Sequence, residues 1–209
     1  MNRNSNKNDI KTVTRRGKPD DAQDFSRLIL LSGATLFPTF GKEAEKMMID
    51  LFLKPKNIYS MDHTLFVVAA GKTAGMILGY SWEDMKSEQK RTRELMIISL
   101  KLKFYLKFFN MRKVQEIFGN ISRDEFILSN IAIYPEVRGM GLAISLISEI
   151  EKEAKTKGSN RIVLDVETDN KAAVGLYKKL GFDIEKTLPR FTLNNKSFEF
   201  FRMIKIIHS

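Results

Sequence analysis

The distribution of apolar and polar positions predicts strands in seven places along the chain. The longest, at residues 126–134, is an apolar run rich in β-branched residues, and Pro135 ends it. Shorter segments predict the other six strands, at residues 12–16, 65–70, 73–80, 161–166, 182–186 and 198–206. Because only a short turn containing Gly71 separates residues 65–70 from residues 73–80, these two strands should form a hairpin.

Apolar residues spaced by three or four predict helices between these strands. Phe25, Leu28 and Ile29 follow a capping signal at Asp20 and Asp21. Similar spacing predicts further helices over residues 43–53, 143–157 and 170–180. The mixed order of elements predicts an α/β (α+β) fold, with helices flanking a mixed central sheet of about six to seven strands.

Residues 82–125 form a basic segment with helical spacing between the third and fourth predicted strands. We expect a helical insertion there, with three roles open: a lid, a wall for a substrate, or a contact in a homodimer. Residues 1–10 are rich in Asn and Lys and predict a disordered tail. The remaining residues, 11–209, are predicted to form a single domain.

Composition narrows the range of chemistry. The chain of 209 residues has no Cys and only two His, His63 and His208, far apart in sequence, so thiolate or zinc catalysis and a Ser-His-Asp triad are disfavoured. There is no signal-peptide pattern and no apolar run of membrane-spanning length, so we predict a cytoplasmic protein without a membrane partner. The formal net charge of +10 favours anionic partners, such as CoA, nucleic acid or an acidic protein.

The stretch that follows the longest strand has the features of a phosphate site. Gly139 and Gly141 lie where a helix begins, and Arg138 adds a positive charge beside them. The first turn of a helix has N–H groups without internal acceptors and carries the positive end of the helix dipole. Glycines let a pyrophosphate approach that backbone closely. The absence of a following Gly-Lys-Ser/Thr excludes a P-loop.

The spacing of Arg138, Gly139, Gly141 and Ala143 resembles the acetyl-CoA signature of the GNAT family, the Gcn5-related N-acetyltransferases. A second segment resembles the family's Asn-x-x-Ala-x-x-x-Tyr-x-x-x-Gly-Phe pattern, in Asn170, Ala173, Tyr177, Gly181 and Phe182. Two motifs in the right order, about thirty residues apart, are much more specific than either motif alone.

This resemblance implies the GNAT fold, acetyl-CoA as cosubstrate, no metal, and a set of site residues. The backbone and side chains expected to bind the cosubstrate belong to Ile131, Ala132, Ile133, Arg138, Gly139, Met140, Gly141, Leu142, Ala143, Asn170 and Tyr177. Tyr177 matches the family's usual general acid. A phenol suits this role because it is protonated at neutral pH. Asp165 matches by position an acid used by some protein-acetylating members, and Glu167 is the other candidate base.

The resulting hypothesis is an N-acetyltransferase that transfers acetyl directly to a primary amine in a ternary complex. The amine could belong to a small molecule, a polyamine or a protein. A non-catalytic acyl-CoA-binding or regulatory GNAT-like module is the alternative. A nucleic-acid-binding protein is a third hypothesis, which the sequence disfavours because no recognised nucleic-acid motif accompanies the basic charge.

Overall fold

A computed structural model describes residues 11–33, 43–100, 121–193 and 195–207. The predicted tail and part of the predicted insertion, at residues 101–120, lie outside the described residues. The structure describes five α-helices: α1 (Ala22–Ser32), α2 (Ala44–Phe52), α3 (Trp82–Leu100), α4 (Leu142–Thr156) and α5 (Lys171–Lys179). None of these helices is long and apolar enough to cross a membrane.

Seven of the nine described strands form one mixed sheet, in the order β1-β2-β3-β4-β5-β9-β6. These strands are β1 (Thr12–Arg16), β2 (Thr64–Ala69), β3 (Lys72–Ser81), β4 (Glu125–Ile133), β5 (Arg161–Glu167), β6 (Asp183–Thr187) and β9 (Phe200–Ile206). All neighbours are antiparallel except β4 and β5, which are parallel. The predicted mixed sheet flanked by helices is therefore confirmed.

Helices cover the two faces of this sheet. On one face, α4 and α5 contribute to a core that includes Leu146, Ile150 and Tyr177. The other face, here called the far face, is covered by α1 and α2, with α3 beside them. The far face also carries a smaller cluster that contains Tyr80, Ile127 and Val163, and Trp82 and Met85 of α3 pack against that cluster.

A β-bulge divides β4 into two parts. Gly79 of β3 is opposite Leu128 and Leu78 is opposite Asn130, so Ser129 is one extra residue. The bulge reverses which side chains face α4. Before it, Phe126 and Leu128 belong to the core under α4, whereas beyond it the odd-numbered Ile131 and Ile133 pack against that core.

Two details at the C-terminal end differ from the sequence prediction. The structure has an additional two-stranded sheet of β7 (Phe191–Leu193) and β8 (Lys196–Phe198), which the prediction did not include. The last strand of the main sheet therefore begins at Phe200, not at residue 198. Both strands of the hairpin are only three residues long, too short for an alternating pattern to indicate them.

Candidate functional site

The parallel strands β4 and β5 separate along their length. They pair at three positions, from Glu125 opposite Arg161 to Ile127 opposite Val163, and the described register has no later pair between them. Both strands continue beyond this point, to Ile133 and Glu167. The described register therefore leaves the edge of β4 that faces β5 unpaired beyond Ile127, and Ile131 and Ile133, whose backbone groups are expected to bind the cosubstrate, lie in this part of the strand.

The predicted phosphate-binding turn lies at the end of that split. Gly139 has a φ of 81° and Gly141 has a φ of 76°, a left-handed backbone that favours glycine. A Cβ atom placed on either glycine would have no heavy atom within 4 Å. The two glycines are therefore required by backbone conformation, not by crowding, and the space in front of them is open.

Helix α4 begins immediately after these glycines. Gly141 is its N-cap and cannot supply a capping side chain, so the N–H groups of Leu142 and Ala143 depend on another acceptor. The Arg138 guanidinium lies at the same end of β4, where its Nε donates to the carbonyl oxygen of Ile133 at 3.1 Å. The exposed Met140 and Ile144 side chains flank this helix end. An anion would meet several N–H donors and a cation there.

Helix α5 carries the second motif. The Asn170 side chain accepts a hydrogen bond from the N–H of Ala173 at 3.1 Å, so Asn170 is the N-cap of this helix. Tyr177 is buried with 6% exposure, and its ring meets the edge of Phe182 at 5.7 Å between centroids. Burial raises the pKa of Tyr177 to about 12, so the phenol stays protonated at neutral pH.

Asp165 projects to the far face, beside the point where β4 and β5 separate. It lies opposite Arg202 of β9, and the two side chains form a bidentate ion pair, with Nε–Oδ1 at 2.9 Å and Nη2–Oδ2 at 2.8 Å. Burial raises the pKa of Asp165 and is opposed by the charge and hydrogen bonds of Arg202. Glu167 lies two residues further along β5, opposite Phe200.

A polar group at the β4 bulge lies near these acids. The Tyr80 hydroxyl is hydrogen-bonded to Ser129, and the Ser129 hydroxyl donates to Oδ1 of Asn130 at 2.8 Å. Nδ2 of Asn130 donates to the Ser32 hydroxyl of α1 at 2.8 Å. These contacts connect the last turn of α1 to the bulge where the split opens.

A cleft of about 470 Å³ lies on the far face, between Arg202 and the first residues of β4 and β5, Glu125 and Arg161. The Trp82 and Met85 side chains of α3 form its apolar side. Its polar side includes Arg202, Lys186 and Glu185. Helix α3 and the sheet therefore both shape the cleft next to Arg202, the partner of Asp165.

Sequence reasoning missed several residues of this region. Arg202 and Tyr80 were not predicted as site residues, and neither were Ser129 and Asn130. The sequence contained one signal for Arg202: it is the only charged residue among the first five of β9. The structure shows that it is buried opposite an acid. Its partner follows from strand pairing, which the local sequence does not show.

Fold and geometry together define a class of protein, one whose mixed sheet separates between two parallel strands beside a left-handed glycine turn that begins a helix. A family profile described as "Acetyltransferase (GNAT) family" matches residues 35–182, and the chain belongs to this family. Among curated proteins, the N-alpha-acetyltransferase 30 of Schizosaccharomyces pombe is 40% identical over 67 residues, which are 32% of this chain and 45% of that protein. The chain thus matches less than half the length of that relative.

Solved structures agree in fold. The crystal structure of an acetyltransferase has a TM-score of 0.66 at 23% identity and covers 94% of this chain and 100% of its own. An N-acetyltransferase from Staphylococcus aureus Mu50 has a TM-score of 0.65 at 19% identity, with coverages of 92% and 99%. At these identities the likeness shows the fold alone.

Proposed function

We propose that this GNAT protein is an acetyl-CoA-dependent N-acetyltransferase that transfers acetyl directly to a primary amine. The main support is the open space in front of the left-handed Gly139 and Gly141, at the end of the β4–β5 split. Gly158 also has open space in front of it, so the position of the turn matters more: the start of α4, which has no capping side chain, lies where the unpaired part of β4 ends.

The residues present suit acetyl-CoA, which supplies an activated acetyl thioester when bound. The N–H groups at the start of α4, from Gly141 to Ala143, would hold its pyrophosphate, with the charge of Arg138 beside them. Backbone groups of Ile131 and Ile133 would pair with its pantetheine arm as an added strand does. Met140, Leu142 and Ala132 complete the predicted contacts on the turn and strand.

Two side chains would manage protons. Tyr177, kept protonated by its buried setting, would donate to the departing sulfur. Asp165 would accept a proton from the amine, directly or through water, since burial favours its proton uptake while Arg202 keeps a charge beside it. Glu167 is the second candidate base. Asn170 would contact the cosubstrate while it caps α5.

The acceptor is best approached through a panel of amines. The purified protein would be mixed with acetyl-CoA and peptides with free N-termini, lysine side chains, polyamines or aminoglycosides, and release of free CoA thiol would be measured. Peptides come first because one relative is named an N-alpha-acetyltransferase. Turnover of any amine supports the proposal, whereas binding of acetyl-CoA without turnover across the panel would favour the non-catalytic module.

Tyr177→Phe tests the acid. It removes only the hydroxyl, so kcat should fall by about 10²–10⁴-fold, the usual contribution of general acid–base catalysis, with little change in acetyl-CoA affinity. Unchanged kcat would remove Tyr177 from this role. Salt-sensitive binding to DNA or RNA, with no response to acetyl-CoA, would support the nucleic-acid hypothesis instead.

A further inference from the structure

The ion pair between Asp165 and Arg202 is the most buried one in the part of the chain that the structure describes. The side chains are 8% and 4% exposed, and both carboxylate oxygens accept from the guanidinium. Such a bidentate pair fixes the plane of the carboxylate as well as its position. A pair of this kind contributes little net stability, because both charges lose water, so its presence calls for another explanation.

Its position supplies that explanation. Val163 is the last β5 residue that pairs with β4, and Asp165 is the next residue on the same face. The Asp165 carboxylate therefore lies just beyond the last pair of β4 and β5, where the two strands begin to separate. Tyr80 is close enough for the Asp165 charge to act on its hydroxyl, which in turn is hydrogen-bonded to Ser129 at the bulge.

The charged and titratable groups around Asp165 come from three elements. Arg202 lies on β9, Lys186 and Glu185 lie on β6, and Tyr80 reaches across from β3. Of these groups, Arg202 has the largest effect in favour of the ionised carboxylate, and it opposes a still larger effect of burial. Without Arg202, burial would raise the pKa of the Asp165 carboxyl further, because the largest opposing effect would be lost.

We propose that Arg202 is the positioning residue of the reaction: it keeps Asp165 ionised and fixes both carboxylate oxygens at the β4–β5 split, where the acceptor amine must arrive. This inference rests on the proposed function for its catalytic meaning. Arg202 itself has no role in binding acetyl-CoA or in proton transfer.

The test compares kcat as a function of pH for the wild type and Arg202→Met, with the most active amine of the panel. The methionine is close in volume but uncharged, so the acidic limb of kcat should move up by about 1–3 pH units, the usual effect of losing an opposite charge. Activity on the acidic side should fall relative to the wild type and recover at higher pH, while acetyl-CoA affinity stays the same. Arg202→Lys keeps the charge and should move the limb by less than one unit.

Arg161→Met is a matched control. Arg161 lies four residues earlier on β5 and on the same face, and its Nη2 binds Glu125 at 2.9 Å. This variant also removes an arginine from an ion pair, so it should lower stability yet leave the acidic limb in place. If Arg202→Met and Arg202→Lys lower kcat equally at every pH, Arg202 does not control ionisation of Asp165 and the proposal is wrong.

A second measurement separates failure of this inference from failure of the proposed function. If no amine is acetylated, the proposed function fails. The free energy of unfolding as a function of pH then shows whether Arg202 controls the ionisation of Asp165. In Arg202→Met the folded-state pKa of Asp165, already above its ordinary value in the wild type, should rise further, so stability should fall with rising pH over a range that extends to higher pH than in the wild type. The double variant Asp165→Asn/Arg202→Met should lack this dependence. A single variant as flat as the double variant would show that Asp165 stays ionised without Arg202.

Discussion

The phosphate site can be tested with two glycines that differ only in position. Gly141, the N-cap of α4, has a φ of 76°, and Gly158, just beyond the other end of α4, has a φ of 75°. Neither would bring a Cβ atom within 4 Å of another heavy atom. Changing either to Ala should therefore cost the same, about 1–2 kcal/mol for a left-handed L-residue. For a chain of this size the melting temperature should fall by about 2–4 °C per kcal/mol.

The two variants should differ once acetyl-CoA is added. At a concentration of one hundred times Kd, a ligand stabilises the folded state by about 2.7 kcal/mol. The methyl group of Gly141→Ala would project into the open space where the pyrophosphate is proposed to lie. If it weakens binding a hundredfold, the same concentration gives only about 0.4 kcal/mol. Gly158→Ala should keep the full stabilisation.

Thermal unfolding with and without acetyl-CoA measures both effects, and calorimetric titration gives Kd directly. Each variant serves as the other's control for backbone strain. If acetyl-CoA raises the melting temperature of both variants by the same amount, then the start of α4 is not where the cosubstrate's phosphates bind. That result would leave the glycine turn as a connection without a ligand.

Three further predictions concern stability. Arg15 and other hydrogen-bond donors hold the pKa of Asp21 below its ordinary value of 3.8, so wild-type stability should decline as pH falls below about 4. By chemical unfolding, Asp21→Asn should be less stable than the wild type by about 1–3 kcal/mol at pH 7, but its stability should depend less on pH in acid. An equal dependence of stability on pH in both proteins would refute this. Gly79→Ala would bring its Cβ within 2.7 Å of Phe126 and should clearly destabilise the folded protein. Gly175 lies in the middle of α5, where an added Cβ would have nothing within 4 Å, so Gly175→Ala should stabilise the folded protein by about 0.5–1 kcal/mol in the same assay. The reverse order would contradict the packing around Gly79.

Local signals in the sequence were sufficient for the half of the molecule that is proposed to bind the cosubstrate. The Asn170 cap, the left-handed Gly181 and the apolar run of β4 each result from interactions between residues near each other in sequence. The same holds for the glycine turn before α4. Motifs of this kind are readable because the chemistry and the residues that carry it share one short segment.

The rest depends on contacts between distant segments. Arg202 meets Asp165 only because β9 inserts between β5 and β6 in the sheet. The bulge at Ser129 is set by pairing with β3, and the residues on either side of it read as one continuous strand. Strand order and register follow from the global packing, so neither feature was available to a reading of local pattern.

The way in which α3 is attached explains why the acceptor is harder to infer than the donor. Three residues of α3 at a spacing of four, Asp84, Glu88 and Thr92, make polar contacts, with Lys157 at 3.2 Å, His63 at 2.9 Å and the N–H of Ile58 at 3.1 Å. These polar contacts add to the apolar packing of α3 on the far face, where its Trp82 and Met85 line the cleft beside Arg202. The glycine turn and α5 belong to the opposite side. A change in α3 could therefore reshape the cleft beside Arg202 without contact with the glycine turn, so the motif at that turn carries no information about the acceptor.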